Sequence, residues 1–385
     1  MAFLTAPRHR VVVIGGGFGG LFATQALGRA AVEVVLIDRT GHHLFQPLLY
    51  QVATGILSEG QITRSLREVL AKQSNARVLL GEVSAIDLAG RTVTSSAFGR
   101  RVSTPYDSLI VASGSAYSYF GHDEFTAEAP GLKSVDDALE IRARVFAAFE
   151  RAEAAQDDLD RRRHLTFAVI GGGPTGIEMA GQLRDLARRS LRRNFLSFDP
   201  ADARVVLLEA APTLLPTYGP RLSLRTVAAL EEVGVEVLLD APVTGVDPNA
   251  VVYTQAGRVH RLEASTKVWA AGVAAGSLAT VLADQAVVER NRAGQLVLEP
   301  DCTLPGHPEV FVVGDLMSTP GVPGVAQLAI QSGRHAARTI RARLEGRCDP
   351  RPFVYRDKGS LATIARFRAV ASVRGVGFSG LPAWL

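Results

Sequence analysis

Two copies of one glycine pattern constrain this chain more than any other feature. Residues 11–38, VVVIGGGFGGLFATQALGRAAVEVVLID, read as a strand, a tight turn, a helix and a second strand ending at Asp38. Gly15, Gly17 and Gly20 fall at G-x-G-x-x-G spacing. The first permits the tight turn, the second lets a pyrophosphate approach the backbone, and the third lets helix and strand pack closely. The pyrophosphate would sit on the helix N-terminus, where unbonded N–H groups and the helix dipole favour an anion. The segment LTFAVIGGGPTGIEMAGQL repeats the pattern at Gly171, Gly173 and Gly176, and its following strand, ARVVLLEA, ends in Glu209. Each terminal acid is placed to accept hydrogen bonds from ribose hydroxyls. An acid there repels a 2′-phosphate, so the second ligand is expected to be NAD(H) rather than NADP(H). One such unit suits many dehydrogenases, whereas two imply a flavin dinucleotide and a nicotinamide dinucleotide held face to face. The expected fold is α/β, with two Rossmann-like dinucleotide-binding domains.

A chain of 385 residues has room for both. Val11 to Gly28 carries no charge and mimics a signal peptide or membrane span, but its six glycines are unsuited to a lipid-facing helix. Cys302 and Cys348 are the only cysteines and form no CxxC or CxxxxC, which excludes a disulfide scaffold, a Cys-rich zinc site and a local dithiol pair. A reducing compartment is expected. Arg341 to Leu385 holds eight Arg and one Lys against three acids, so the body is near neutral and the tail basic. That distribution suggests an anionic surface, such as a membrane, as partner. No long basic run or basic-aromatic patch is read, and nucleic acid is not expected as a partner.

Between the two units, ARVLLGEVSAIDLAGRTVTSS and RRVSTPYDSLIVASGS read as strands of a hairpin insert that returns to the sheet at Leu109–Ala112. Ser134 and Asp137 form a capping-box start to a helix over 135–155, with Leu139, Phe146 and Phe149 on its apolar stripe. AAQDDLDRRRH reads as an exposed polar approach to the second unit. A helix over 222–233, a strand at STKVWAAGVAA, a strand closing on Gly314-Asp315, a helix over VAQLAIQSGRHAARTIRARL and short strands after Pro352 complete the pattern. HHLFQPLLYQVATG, residues 42–55, contains no carboxylate, Lys, Arg or Cys. His42 and His43 lack a third ligand at metal spacing, so no metal site is expected.

In motif order, nearly the whole chain resembles the two-dinucleotide flavoprotein oxidoreductases of glutathione-reductase type. VASG (Ala112–Gly114) and WAAG (Trp269, Ala271, Gly272) look like that superfamily's two crossovers between domains. TLPGHPEVFVVGD, through Gly314 to Asp315, resembles the last FAD motif, whose acid contacts the ribitol chain. Within the superfamily the chain resembles the type II NADH dehydrogenases. HHLFQPLLYQVATG looks like the segment after their FAD strand, AQLAIQ (Ala326 to Gln331) matches their quinone-site motif, and YRDKGSLATIARFRAVA resembles the start of their C-terminal region.

The resemblance implies FAD as cofactor, NADH/NAD as co-substrate and a quinone of menaquinone or ubiquinone type as acceptor, without proton pumping. It also implies peripheral attachment to the cytoplasmic side of the cell membrane, and a homodimer. The sequence stops at GFSGLPAWL, where the family's amphipathic anchor would begin. The expected domains are residues 1–115 and 286–345 for FAD, 116–285 for NADH, and 346–385 for the start of the membrane-associated region. Glu178 is read in the first turn of its helix, either complementing the helix N-terminus or lying beside nicotinamide and flavin. Gln327 and Gln331 share a helix face and, as neutral amides, suit quinone carbonyls. Lys358 is placed either in solvent or at the flavin's electron-rich edge. Gln46, with Pro47, Tyr50 and Gln51, is assigned to a wall beside the flavin that carries no thiol, so electrons would leave directly for a diffusible acceptor. Three rival readings remain: a reductase of a ferredoxin- or rubredoxin-like protein, a non-catalytic NADH sensor, and a sulfide:quinone oxidoreductase using the two cysteines.

Overall fold

The computed structural model describes residues 8–322, 324–347, 351–373 and 375–384. The chain forms two compact units: Met1–Leu44, Thr63–Ala116 and Val273–Asp357 make the first, and Phe45–Ile62, Tyr117–Gly272 and Lys358–Leu385 the second.

The first unit is built on a six-stranded sheet with His9–Ile14 near its middle, paired in parallel with Val32–Asp38 on one side and Ser108–Val111 on the other. Their centres, Val11–Ile14, Val34–Ile37 and Leu109–Val111, are unbroken apolar runs because both faces are covered. Val12, Ile14, Leu109 and Val111 face a core capped by Leu278 and Leu282 of the helix Ser277–Ala286. Val11, Val13 and Ile110 face the opposite core, with Leu21, Ala336 and Ile340. There the glycine helix Phe18–Ala26 packs on the long helix Ala326–Leu344. The approach is so close that a Cβ on Gly333 would overlap the carbonyl of Gly19.

The expected hairpin insert is corrected in one part. Ala76–Leu80 is an edge strand of the main sheet, parallel to Val34–Asp38. Only Glu82–Asp87, Thr92–Ala97 and Arg100–Pro105 form the antiparallel meander.

The second unit has a parallel four-stranded sheet in the order Val235–Leu238, Arg204–Leu208, Thr166–Ile170, Thr266–Trp269. Lys267 is buried in it, and its ammonium donates to the carbonyls of Asp247 and Pro248, both at 2.8 Å. The capping box at Ser134 and Asp137 is present and opens the helix Val135–Ala154. Its buried stripe centres on Ile141, Val145 and Phe149, with Leu139 and Phe146 at the margin. Within AAQDDLDRRRH, Asp157 caps a short helix, Asp158–His164, by accepting the amide of Asp160. An antiparallel sheet of Ser360–Ala365, Arg368–Val373 and Val376–Gly380 packs on the second glycine helix, Pro174–Asp185. Here Gly181 is required, since a Cβ would overlap the carbonyl oxygen of Ile364.

Candidate functional site

Each unit carries a cradle of the same construction. In the first, Gly15 turns the chain at φ +96°, and a Cβ there would overlap the carbonyl of Ala112 on the neighbouring strand. Gly17 is the N-cap of its helix with open space around the Cβ position, no side-chain cap and no acid in the first turn. The helix N-terminus thus has no side-chain cap and is approachable at Gly17, which fits the pyrophosphate of FAD. A Cβ on Gly20 would collide with the carbonyl of Gly15.

Asp38 does more than its position suggested. Oδ2 accepts the amide of Gly16 at 2.7 Å, while Oδ1 accepts the amides of Thr40 and Gly41 at 2.8 and 2.7 Å. The carboxylate ties the glycine loop to the next turn, and Oδ2 keeps a lone pair for a ribose hydroxyl. His43 braces the same loop, with Nδ1 3.1 Å from the carbonyl oxygen of Gly16 and its ring edge-on to Phe18.

Gly114 takes φ +71° with open space at its Cβ position, and the hydroxyl of Ser115 donates to Asp315 at 2.8 Å. Gly314, at φ +71°, donates its amide to the buried Ser332 hydroxyl on the helix Ala326–Leu344. That bond fixes Asp315 relative to Ala326 and Gln327. The two glutamines then diverge. Gln331 spans the backbone of Arg356, accepting its amide at 3.0 Å and donating to its carbonyl at 2.9 Å. Gln327 keeps a buried Oε1 with no partner among the described residues, as a group awaiting a ligand donor would.

The second cradle repeats the first. Gly171 stands at φ +114° against the backbone of Ala271. Gly173 is an uncapped N-cap with open space, and a Cβ on Gly176 would collide with the carbonyl of Gly171. Glu209 accepts the amides of Gly172 at 2.5 Å and Ala211 at 2.7 Å. Gly272 closes the WAAG turn at φ +70°.

Glu178 occupies the second turn of its helix, not the first, so it does not serve the bare N-terminus. The C-terminal sheet lies over it, and the amide of Thr363 donates to Oε1 at 3.3 Å. Burial outweighs that one bond and pushes its pKa from 4.5 to about 8. Tyr50 and Tyr218 flank it. Both phenols are pushed up, first by burial and then by the Glu178 charge, Tyr218 to about 12. Gln51 donates to the Tyr50 oxygen at 3.0 Å. Tyr218 and Thr363 gave no local sign of this role; only the packing of distant segments reveals it. Gln46 is exposed and donates to the carbonyl of Lys133 at 3.0 Å, and Lys358 is exposed. Cys302 is buried and its thiol pushed up to about 12, while Cys348 lies outside the described residues. A thiol so protonated is a poor nucleophile.

Fold and cradles define a two-dinucleotide flavoprotein, and the sequence matches the pyridine nucleotide-disulphide oxidoreductase family over residues 9–333. A type II NADH:quinone oxidoreductase of Mycobacterium tuberculosis, Ndh, is 54% identical over 98% of this chain and 82% of its own length. One from Haemophilus influenzae is 30% identical, covering 94% of this chain and 86% of that protein. The chain belongs to the type II NADH:quinone oxidoreductases. NDH2 of Plasmodium falciparum, solved in complex with NADH, shares the fold at a TM-score of 0.90 and 20% identity, covering 98% of this chain and 93% of that one. Sulfide:quinone oxidoreductase of Aquifex aeolicus shares it at 0.78 and 19%, over 97% and 88%.

Proposed function

We propose that this chain oxidises NADH and reduces a membrane quinone through bound FAD, without pumping protons. The observation that carries the reading is the doubled cradle, a helix N-terminus without a side-chain cap behind an open glycine, with a carboxylate beneath, once in each unit. Bound FAD supplies a two-electron relay between nicotinamide and quinone.

The protein's own residues bind, orient and hold protons. Gly15, Gly17, Gly20 and Asp38 take the flavin dinucleotide, with Ala112, Gly114, Gly314 and Asp315 along its ribitol side. Gly171, Gly173, Gly176 and Glu209 take NADH, with Ala271 and Gly272 bounding the turn. Glu178 is largely protonated at neutral pH and supplies a proton or a hydrogen-bond donor from its Oε atoms. The unpartnered Oε1 of Gln327 accepts a hydrogen bond from FAD or quinone. Gln331 acts through the Arg356 backbone that it holds.

No helix among the described residues is long and apolar enough to cross a membrane. Attachment is peripheral, at the cytoplasmic face, through exposed apolar side chains at the C-terminal sheet: Phe378 on its last strand, Phe367 in its first turn and Leu381 just past its end. Homodimerisation is carried by the family likeness and is tested by sedimentation velocity. The decisive assay is anaerobic: reduce the bound flavin with NADH, then add a short-chain quinone and follow the return of the oxidised spectrum. Reoxidation is the expected result. No reoxidation by quinone, with rapid reoxidation by ferredoxin, would establish the protein-reductase reading instead. A long-wavelength charge-transfer band that survives admission of air would establish the sensor.

A further inference from the structure

The chain LARRSLRRNFLSF, residues 186–198, has four arginines and no acid. It corrects the expectation that no basic-aromatic patch exists. Leu186–Ser190 forms one π-helical turn beyond the second glycine helix, and Arg188, Arg189, Arg192 and Arg193 are all exposed. Arg188 donates to the carbonyl of Val233 at 3.0 Å and Arg189 lies 3.5 Å from Asp185. Arg192 and Arg193 have no partner among the described residues. The neighbouring Glu153 forms no ion pair with either; its carboxylate accepts the amides of Leu196 and Ser197 at 3.2 and 3.1 Å.

The loop is braced from within. Phe198 stacks on Phe195, and Phe195 on Phe149, which is in the core. Between the two inward rings Leu196 is turned fully out, with 95% of its surface exposed. A single exposed leucine is ordinary; one set between two half-buried, stacked phenylalanines beside Arg192 and Arg193 is not. The patch also continues into the C-terminal sheet. Asp185, the partner of Arg189, accepts the amide of Arg366 at 3.2 Å. The Arg366 guanidinium lies 4.8 Å from the Phe367 ring, which meets Trp384 edge-on at 4.8 Å.

We propose that residues 188–196 form a docking surface for an anionic lipid bilayer, with the arginines on headgroups and Leu196 entering the acyl boundary. This rests on the reading of a membrane quinone as acceptor. Arginine and aromatic side chains together suit the polar-apolar boundary of a bilayer. Single-stranded nucleic acid would need outward rings on which bases stack, and here the phenylalanines face inward.

The test compares the full chain with the variants Arg192→Gln/Arg193→Gln and Leu196→Ser in co-sedimentation with vesicles of phosphatidylcholine alone or mixed with phosphatidylglycerol. The parent should prefer the anionic vesicles and lose them as salt rises. The double variant should bind roughly 25-fold more weakly, at about five-fold per arginine. Leu196→Ser should weaken binding while leaving the salt dependence in place. NADH oxidation with a water-soluble quinone should match the parent's in both variants. Equal binding of parent and double variant to anionic vesicles would overturn the proposal, as would equally tight binding of the parent to phosphatidylcholine or to a DNA oligonucleotide. Failure of the quinone assay in the parent would overturn the functional reading instead, so the two failures are distinguishable.

Discussion

Neighbouring glycines in one loop do different work, and substitutions separate them. Gly176→Ala places a Cβ against the Gly171 carbonyl and should cost about 2–4 kcal/mol of unfolding free energy in urea denaturation. Gly173 has φ −76° and open space, so Gly173→Ala should fold normally. Glu178 makes a different kind of prediction. Its pKa is raised by folding, so its contribution is fully present below pH 4.5 and lost as pH rises through about 8. Thermal melts of Glu178→Gln across that window should show a shallower fall in Tm than the parent; parallel curves would refute the raised pKa. The glycine spacing was legible in the sequence because it answers to local backbone sterics. The partial burial of Glu178 was not, because it is imposed by a strand far along the chain.

At the level of elements, the capping box at Ser134, the helix Ala326–Leu344 and the paired strands of the first unit were readable from caps and apolar runs. The destination of Ala76–Leu80 was not, since a short apolar run fits an edge strand or a hairpin equally well. Gln327 and Gln331 show the same boundary. Their shared face follows from helical period, but Gln331 is committed to the Arg356 backbone and Gln327 is not. Gln331→Leu should therefore free the segment around Arg356, costing about 1–2 kcal/mol and opening it to limited proteolysis. A proteolysis pattern identical to the parent's would show that the clasp contributes nothing to that segment.

For the whole molecule, duplication predicts separable defects. Gly17→Val should give a folded chain that loses its flavin, whereas Gly173→Ala should keep the yellow cofactor and show a raised KM for NADH. Glu209→Ala should relax discrimination against NADPH, read as the ratio of kcat/KM values, and should also lower stability because the Gly172 amide loses its acceptor. The sequence by itself determined two α/β dinucleotide cradles, their acids and their order, because each rests on contacts within a few tens of residues. Tertiary structure alone decided that Asp38 and Glu209 also lock their loops, that Tyr50, Tyr218 and Thr363 come near Glu178, and that Arg192 and Arg193 have no partner among the described residues while Leu196 stands exposed beside them. Burial, desolvation and exposure are properties of what packs against a residue, and around Glu178 the packing partners come from segments distant in the chain.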